Sequence, residues 1–240
     1  MKITRAHLLV AVVLALVVAG SIIWLINHRL AAKRADAAQR IVLVEIDDST
    51  LQELGRWPFD RGIHANVIER LRNAAASVVI YEIMFWPAGA NDERLRQVLA
   101  SKGPPIIFAN DNDRFQPFLF LPSVYFGHPY ADPGTEEVTK IALRNGIGKW
   151  PHVVALAACI TLGFDPCNPK DTTVDLYAAN HPFARIQFQA ISKLSESALA
   201  SHLKGKIVIV GVGRAAGFSA RTTEPEFTAR GLAALLAEWQ

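Results

Sequence analysis

Residues 41–83, "IVLVEIDDSTLQELGRWPFDRGIHANVIERLRNAAASVVIYEI", place two β-branched runs of strand length, 41–46 and 77–83, on either side of a helical pattern. Between them Ile63, Val67, Ile68 and Leu71 recur at the spacing of one helix face. Strand, helix and strand form a β-α-β unit, whose crossover is right-handed and whose strands run parallel. A parallel sheet must be covered on both sides, so this stretch predicts an α/β fold, a mostly parallel central sheet with helices on both faces.

Downstream, "DERLRQVLASKG" (92–103) reads as a helix ended by Gly103, and "PPIIFAN" (104–110) as a third strand. "FLFLPSVYFG" and "EEVTKIALRNG" suggest antiparallel excursions with turns at "ADPG" and "RNG". "PHVVALAACITLGF" (151–164) is apolar enough for a helix lying against the sheet, and "VDLYAAN" and "ARIQFQAIS" look like two more strands. "LSESALASHLKGKIVIVGVG" gives a short helix, a turn at Gly205 and a last buried strand. A closing helix, "FTARGLAALLAEWQ", carries an apolar face on Leu232, Leu235 and Leu236.

Upstream, "LLVAVVLALVVAGSIIWLI" (8–26) runs without a charge, and at 1.5 Å per residue it spans about 28 Å, close to the thickness of a bilayer core. Trp24, Asn27, His28 and Arg29 close it where a cleaved signal peptide would have small residues, so it reads as an uncleaved signal anchor. The Ala-rich, charged stretch 27–40 prolongs it as a helical stalk. The predicted organisation is a short N-terminal segment (1–7), a membrane span (8–26), the stalk (27–40) and one domain (41–240). On orientation, charge counting favours a cytoplasmic C-terminal side, because Arg29, Lys33, Arg34 and Arg40 outnumber Lys2 and Arg5.

Composition narrows the functional classes. Lys and Arg number 25 against 22 Asp and Glu, and no basic tract carries interleaved aromatics, which argues against nucleic acid as a partner. Cys159 and Cys167 are too few for a disulfide framework and lack zinc-site spacing; they read as one buried helix thiol and one loop thiol, with a local disulfide as the alternative.

In open α/β sheets ligands bind at the carboxyl ends of the strands. Asp47 and Asp48 follow the first strand and Glu82 ends the second. Such acids suit a divalent cation, a pairing with Arg61, or metal-assisted phosphoryl chemistry. The last has no complete motif here: Glu45 stands where a DxDxT pattern needs its first Asp, and HExxH, GxSxG and GxxxxGK[ST] are absent. The glycines of "GVGRAAG" (211–217) are explained by a tight turn more simply than by a dinucleotide. No catalytic residue, metal or cofactor is therefore assigned. Trp57-Pro58 reads as a packed corner, and His64 as a surface or hydrogen-bonded histidine rather than a metal ligand. Asp47 and Arg61 are expected to couple, either as a salt bridge or as a ligand-facing pair.

These residues also resemble a known family, the type-two cyclase and histidine-kinase associated sensory extracellular (CHASE) domains. The matching features are Ile46-Asp47, then Gly55-x-Trp57-Pro58-Phe59-x-Arg61 before a helix, then Tyr81-Glu82 with Phe85, then Asp92 opening a helix. Weaker likeness continues through "GHPYADPGTEEVTK", "HVVALAACITLGF" and "LKGKIVIVGVGRAAGFSARTTEP". The resemblance implies an extracytoplasmic sensor on an inner (cell) membrane, with Asp47, Trp57, Arg61, Glu82 and Asp92 as candidate ligand-contacting residues. On orientation the resemblance overrides the charge count and implies a cytoplasmic N-terminus (1–7) and an extracytoplasmic domain (41–240), since long domains translocate largely regardless of charge. Glu82 stands where the family more often has Asp, and the Pro-Gly-x-x-x-His-Ala sequence usual before the closing helix is missing. No output module is recognisable in the chain. The expectation is a non-enzymatic sensor or accessory domain with a small-molecule or protein ligand and a homodimeric or membrane-protein partner. A metal-dependent phosphohydrolase on Asp47, Asp48 and Glu82, or an interaction subunit of an envelope assembly, are the alternatives.

Overall fold

A computed structural model of the chain describes residues 5–85, 89–110, 121–122, 124–128, 140–143, 151–164, 173–175, 182–213 and 225–239. One helix, α1 (Arg5–Gln39), leads through Arg40 alone into β1 (Ile41–Ile46). There follow α2 (Asp48–Leu54), α3 (Arg61–Asn73), β2 (Val78–Tyr81), α4 (Asp92–Ala100), β3 (Ile106–Ala109) and β4 (Val124–Gly127). Next come β5 (Lys140–Ala142), α5 (Val153–Leu162), β6 (Thr173–Asp175), β7 (Ala184–Gln187) and α6 (Phe188–Lys193). The last elements are α7 (Glu196–Leu203), β8 (Ile207–Val212) and α8 (Pro225–Trp239).

Six strands form one sheet in the order β4-β3-β2-β8-β1-β7, every neighbouring pair parallel. Strand β8 enters last and fills the gap between β1 and β2, with Ile207 opposite both Ile41 and Val78. Side chains alternate between the faces, as a period of two requires. Val42, Val44, Val79, Tyr81, Val208 and Val210 enter one core, where α3, α4, α6 and α7 contribute Ile68, Leu95, Ile191 and Leu203. Ile41, Leu43, Ile80, Ile207 and Ile209 enter the other, with Ala37 and Ala38 of α1, the apolar helix α5, and Leu232 and Leu235 of α8. At about 1.5–3 kcal/mol for each fully buried aliphatic side chain, these two layers outweigh any single polar contact.

The structure has the expected α/β architecture and differs in three local readings. β4 pairs parallel with β3, not antiparallel, because residues 110–123 leave room for a crossover of the length that parallel pairing needs. Among the described residues the small β5-β6 pair alone is antiparallel. "ARIQFQAIS" is not one strand: it breaks into β7 and α6, since Phe188 and Ile191 are buried three residues apart, a helical step. "DSTLQEL", to which the sequence reading gave no element, is helix α2.

Outside the core, α1 exposes apolar side chains on all sides, Leu9, Leu16, Ile23 and Trp24 among them. By length and composition Leu9–Gln39 is able to cross a membrane, and its most apolar window is not buried by the rest of the chain. Cys159 is buried in α5, and Cys167 lies outside the described residues.

Candidate functional site

The carboxyl edge of the sheet gathers the loops of interest, and a cleft of about 250 Å³ opens there beside β2. Its walls come from the corner before α3, from Ile83, Met84 and Phe85 after β2, and from Gly89 and Ala90 before α4. Trp57, Phe59, His64 and Phe85 supply the apolar surface. Their rings meet edge-on or tilted, with His64 5.2 Å from Phe85 and Trp57 5.2 Å from Phe59 between centroids, arrangements that favour aromatic pairs.

The corner is built to fix the start of α3. Asp60 caps the helix, its Oδ1 accepting from Gly62 N at 2.7 Å and from Asn91 Nδ2 at 2.8 Å. Arg61, the first residue of α3, forms a salt bridge with Asp92, the first residue of α4; their side chains are 10% and 21% exposed, so the pair is largely removed from water. Asp92 Oδ2 also accepts from Gly89 N at 3.0 Å. The guanidinium lies 5.4 Å from the centre of Phe85, in cation–π range. On its other side it faces Gly89, where a Cβ would come within 3.3 Å of its Cζ. The clamp thus joins both helix starts to the strand end.

His64 sits under this clamp, 1% exposed, with Nδ1 2.8 Å from the Tyr81 hydroxyl. Burial lowers the imidazole to about 4, helped by the positive charge of Arg61 and opposed by Asp60, so the ring is neutral at physiological pH. Tyr81 is pushed up by burial and keeps its proton.

The expected Asp47–Arg61 pair is not formed. Asp47 is the N-cap of α2, its Oδ1 accepting from Ser49 Oγ at 2.6 Å and from Thr50 N and Oγ1 at 2.9 Å each, while Gln187 Nε2 lies 3.4 Å from Oδ2. Burial raises its pKa, and these hydrogen bonds more than offset that, leaving it lowered. Thr50 and Ser49 continue the network to Gln189. Asp48 is exposed. Glu82 turns into the second face, where Thr228 of α8 donates to its Oε1 and Oε2 is sealed without a partner. Burial pushes this carboxyl up to about 8, against a smaller opposing effect of the Thr228 hydrogen bond. Of the five candidates, then, Trp57 and Arg61 line the cleft, Asp92 clamps Arg61, and Asp47 and Glu82 serve neighbouring polar networks.

Phe59, His64, Met84 and Tyr81 were not among the candidates. His64 had a readable signal, since with Val67, Ile68 and Leu71 it completes an i, i+3, i+4, i+7 stripe, and a histidine on a buried stripe needs a partner.

Open parallel α/β sheets receive ligands at their strand ends, and this domain has its cleft at that edge and a leading helix able to span a membrane. The family model described as the CHASE2 domain matches residues 8–225, and the chain belongs to that family, one of sensory extracellular domains. Comparison with curated proteins and with solved structures found no match.

Proposed function

We propose that the chain is a membrane-anchored sensory domain, held on the outer side of a cell membrane, that binds a small ligand in the Trp57–Arg61 cleft and catalyses no reaction itself. The observation that carries this reading is the cleft. It lies where open parallel sheets receive ligands, and its rim is the Gly-x-Trp-Pro-x-x-Arg segment. The acids speak for binding over hydrolysis. Asp47 is engaged by its own helix, Asp48 faces solvent, and Glu82 is protonated and sealed, whereas a divalent cation needs ionised oxygens that converge. The proposed partners are the membrane, the ligand, and a second copy or another membrane protein that receives the signal.

Met84, at the mouth of the cleft and 52% exposed, offers a test that spares the core. A thermal-shift screen of the full chain in nanodiscs should yield ligands whose binding is lost in Met84→Arg. Ligands indifferent to that substitution would remove the cleft from the proposal. A hydrolase panel with Mg²⁺ or Mn²⁺ addresses the rival, and turnover abolished by Asp47→Asn would establish the enzyme instead. Orientation is checked by fusing alkaline phosphatase, active only after export, at Gln240. Activity is expected, and activity of a cytoplasmic reporter in its place would show that Arg29, Lys33 and Arg34 set the topology.

A further inference from the structure

We infer that His64 is a hydrogen-bond donor to the cleft, and that its ligand is a small uncharged molecule bearing a carbonyl or ring-nitrogen acceptor on a planar apolar body. The inference deepens the sensor reading and rests on it. It begins with Tyr81, whose buried hydroxyl has His64 Nδ1, at 2.8 Å, as its one hydrogen-bond partner among the described residues. A buried donor must find an acceptor, so the phenol donates and Nδ1 accepts. A neutral imidazole whose Nδ1 accepts carries its hydrogen on Nε2. Nε2 has no hydrogen-bond partner among the described residues, and His64 lines the cleft. The His64 Nε2–H is therefore turned to the cleft, among the rings of Trp57, Phe59 and Phe85.

The charges nearby select against an ionic ligand. Arg61 is committed to Asp92 and lies between Phe85 and Gly89; Asp60 is committed to the start of α3 and to Asn91. Neither is offered to the cleft as an unbalanced charge, and an ion entering an aromatic-walled cavity would lose hydration without return. A volume of about 250 Å³ lies just below the usual range for small-molecule sites, which fits one ring and a short substituent.

Three water-soluble probes of one shape separate these ideas: benzamide, a neutral acceptor; benzoate, an anionic acceptor; and benzylamine, a cation without an acceptor. The full chain, with ¹⁵N-labelled histidine, is titrated in nanodiscs. Free protein should show the Nε2–H tautomer at His64. Benzamide should shift the His64 Nε2 signal saturably, benzylamine should not, and benzoate should bind more weakly. His64→Phe keeps the ring and should weaken benzamide by about five- to tenfold, the worth of one neutral hydrogen bond. The Nε2 signal of the unmodified chain stands as a readout even if that variant misfolds. An Nδ1–H tautomer, or benzamide leaving Nε2 unmoved up to its solubility limit, overturns the inference. If screened ligands bind in a Met84-dependent way while His64→Phe leaves their affinity unchanged, the sensor reading survives and the donor role falls. If no ligand depends on Met84, the cleft itself drops out of the sensor reading.

Discussion

Arg61 stands at the first position of α3, where a cation meets the positive end of the helix dipole and is disfavoured. Two acids reverse that: Asp60 caps the helix, and Asp92, itself at the favoured end of α4, takes the guanidinium. Because the pair is largely withdrawn from water, removing one member strands the other, and Arg61→Ala or Asp92→Ala should each cost about 3 kcal/mol. In a double-mutant cycle the two should couple by about 1 kcal/mol or more, whereas Asp47→Ala and Arg61→Ala should add to within about 0.5 kcal/mol. Urea denaturation of the full chain in micelles measures both, and coupling between Asp47 and Arg61 instead would show that the two networks are one. Asp47→Ala alone should cost about 1 kcal/mol, the usual loss of an N-cap. That role was readable, since Asp47-Asp48-Ser49-Thr50 before Leu51 has the form of a reciprocal cap, with Thr50 N bonding Asp47 and Asp47 N bonding Thr50 Oγ1. The partner of Arg61 was not readable as an ion pair. Asp92 lies thirty-one residues away, and only the fold of α4 against α3 brings it near.

Between elements, the sheet was easier to read than its edges. β2 and β8 are buried on both faces and so spell unbroken apolar runs, and β1 does so apart from Glu45, while β7 is exposed along most of its length and carries too little pattern to mark where it ends and α6 begins. Where elements meet, buried titrating groups make stability depend on pH. Glu82, between β2 and α8, is raised from 4.5 to about 8, so the folded state keeps a proton that the unfolded chain gives up. Its contribution is complete below pH 4.5 and is lost as pH rises towards 8, on the order of 3–5 kcal/mol in all. Glu82→Gln keeps a hydrogen-bonding group for Thr228 and should remove this alkaline loss, seen as a higher Tm than the parent at pH 8 and little difference at pH 4. An unchanged alkaline slope would mean that Glu82 is ionised in the fold. His128 acts with the opposite sign. It closes β4 against α5, its backbone bonded to Pro151 and Val153, while both ring nitrogens are sealed without partners. Burial lowers it from 6.5 to about 4, so stability is full above pH 6.5 and lost as pH falls towards 4. His128→Phe fills the same space without orphaned nitrogens, and should flatten that acid limb without lowering the Tm at pH 7. A parallel acid limb in the variant would locate the loss elsewhere, with His64 as the next group to substitute.

At the scale of the molecule, the membrane helix and the sheet are continuous. α1 runs from its apolar stretch to Gln39, Arg40 alone separates it from β1, and Ala37 and Ala38 are buried in the core beneath α8. Lys206 donates to the carbonyl of Gln39 at 2.8 Å, and Ile207 N bonds Arg40 O, so the helix end is also tied to β8. α8 runs back alongside: its first turns meet Glu82 and Gly211 at the carboxyl edge, and Glu238 near its end faces Arg34 of α1 at 3.7 Å. Gly211 is required there, because a Cβ would come within 2.6 Å of Pro225 and 3.0 Å of Glu82 Oε2. The strand end that forms one wall of the cleft therefore touches a helix whose far end touches the stalk. A helix of this kind has no hinge, having neither Gly nor Pro between Ser21 and Arg40. Spin labels at His28→Cys and Ser197→Cys, in a chain with Cys159 and Cys167 replaced by Ala, should accordingly report one narrow distance in nanodiscs. Three glycines inserted between Ala31 and Ala32 should broaden it, since each costs about 1 kcal/mol of helix propensity, while leaving the domain's own unfolding transition in place. A broad distribution before any insertion would show that the stalk bends freely, and a rigid connection between cleft and membrane would have to be given up.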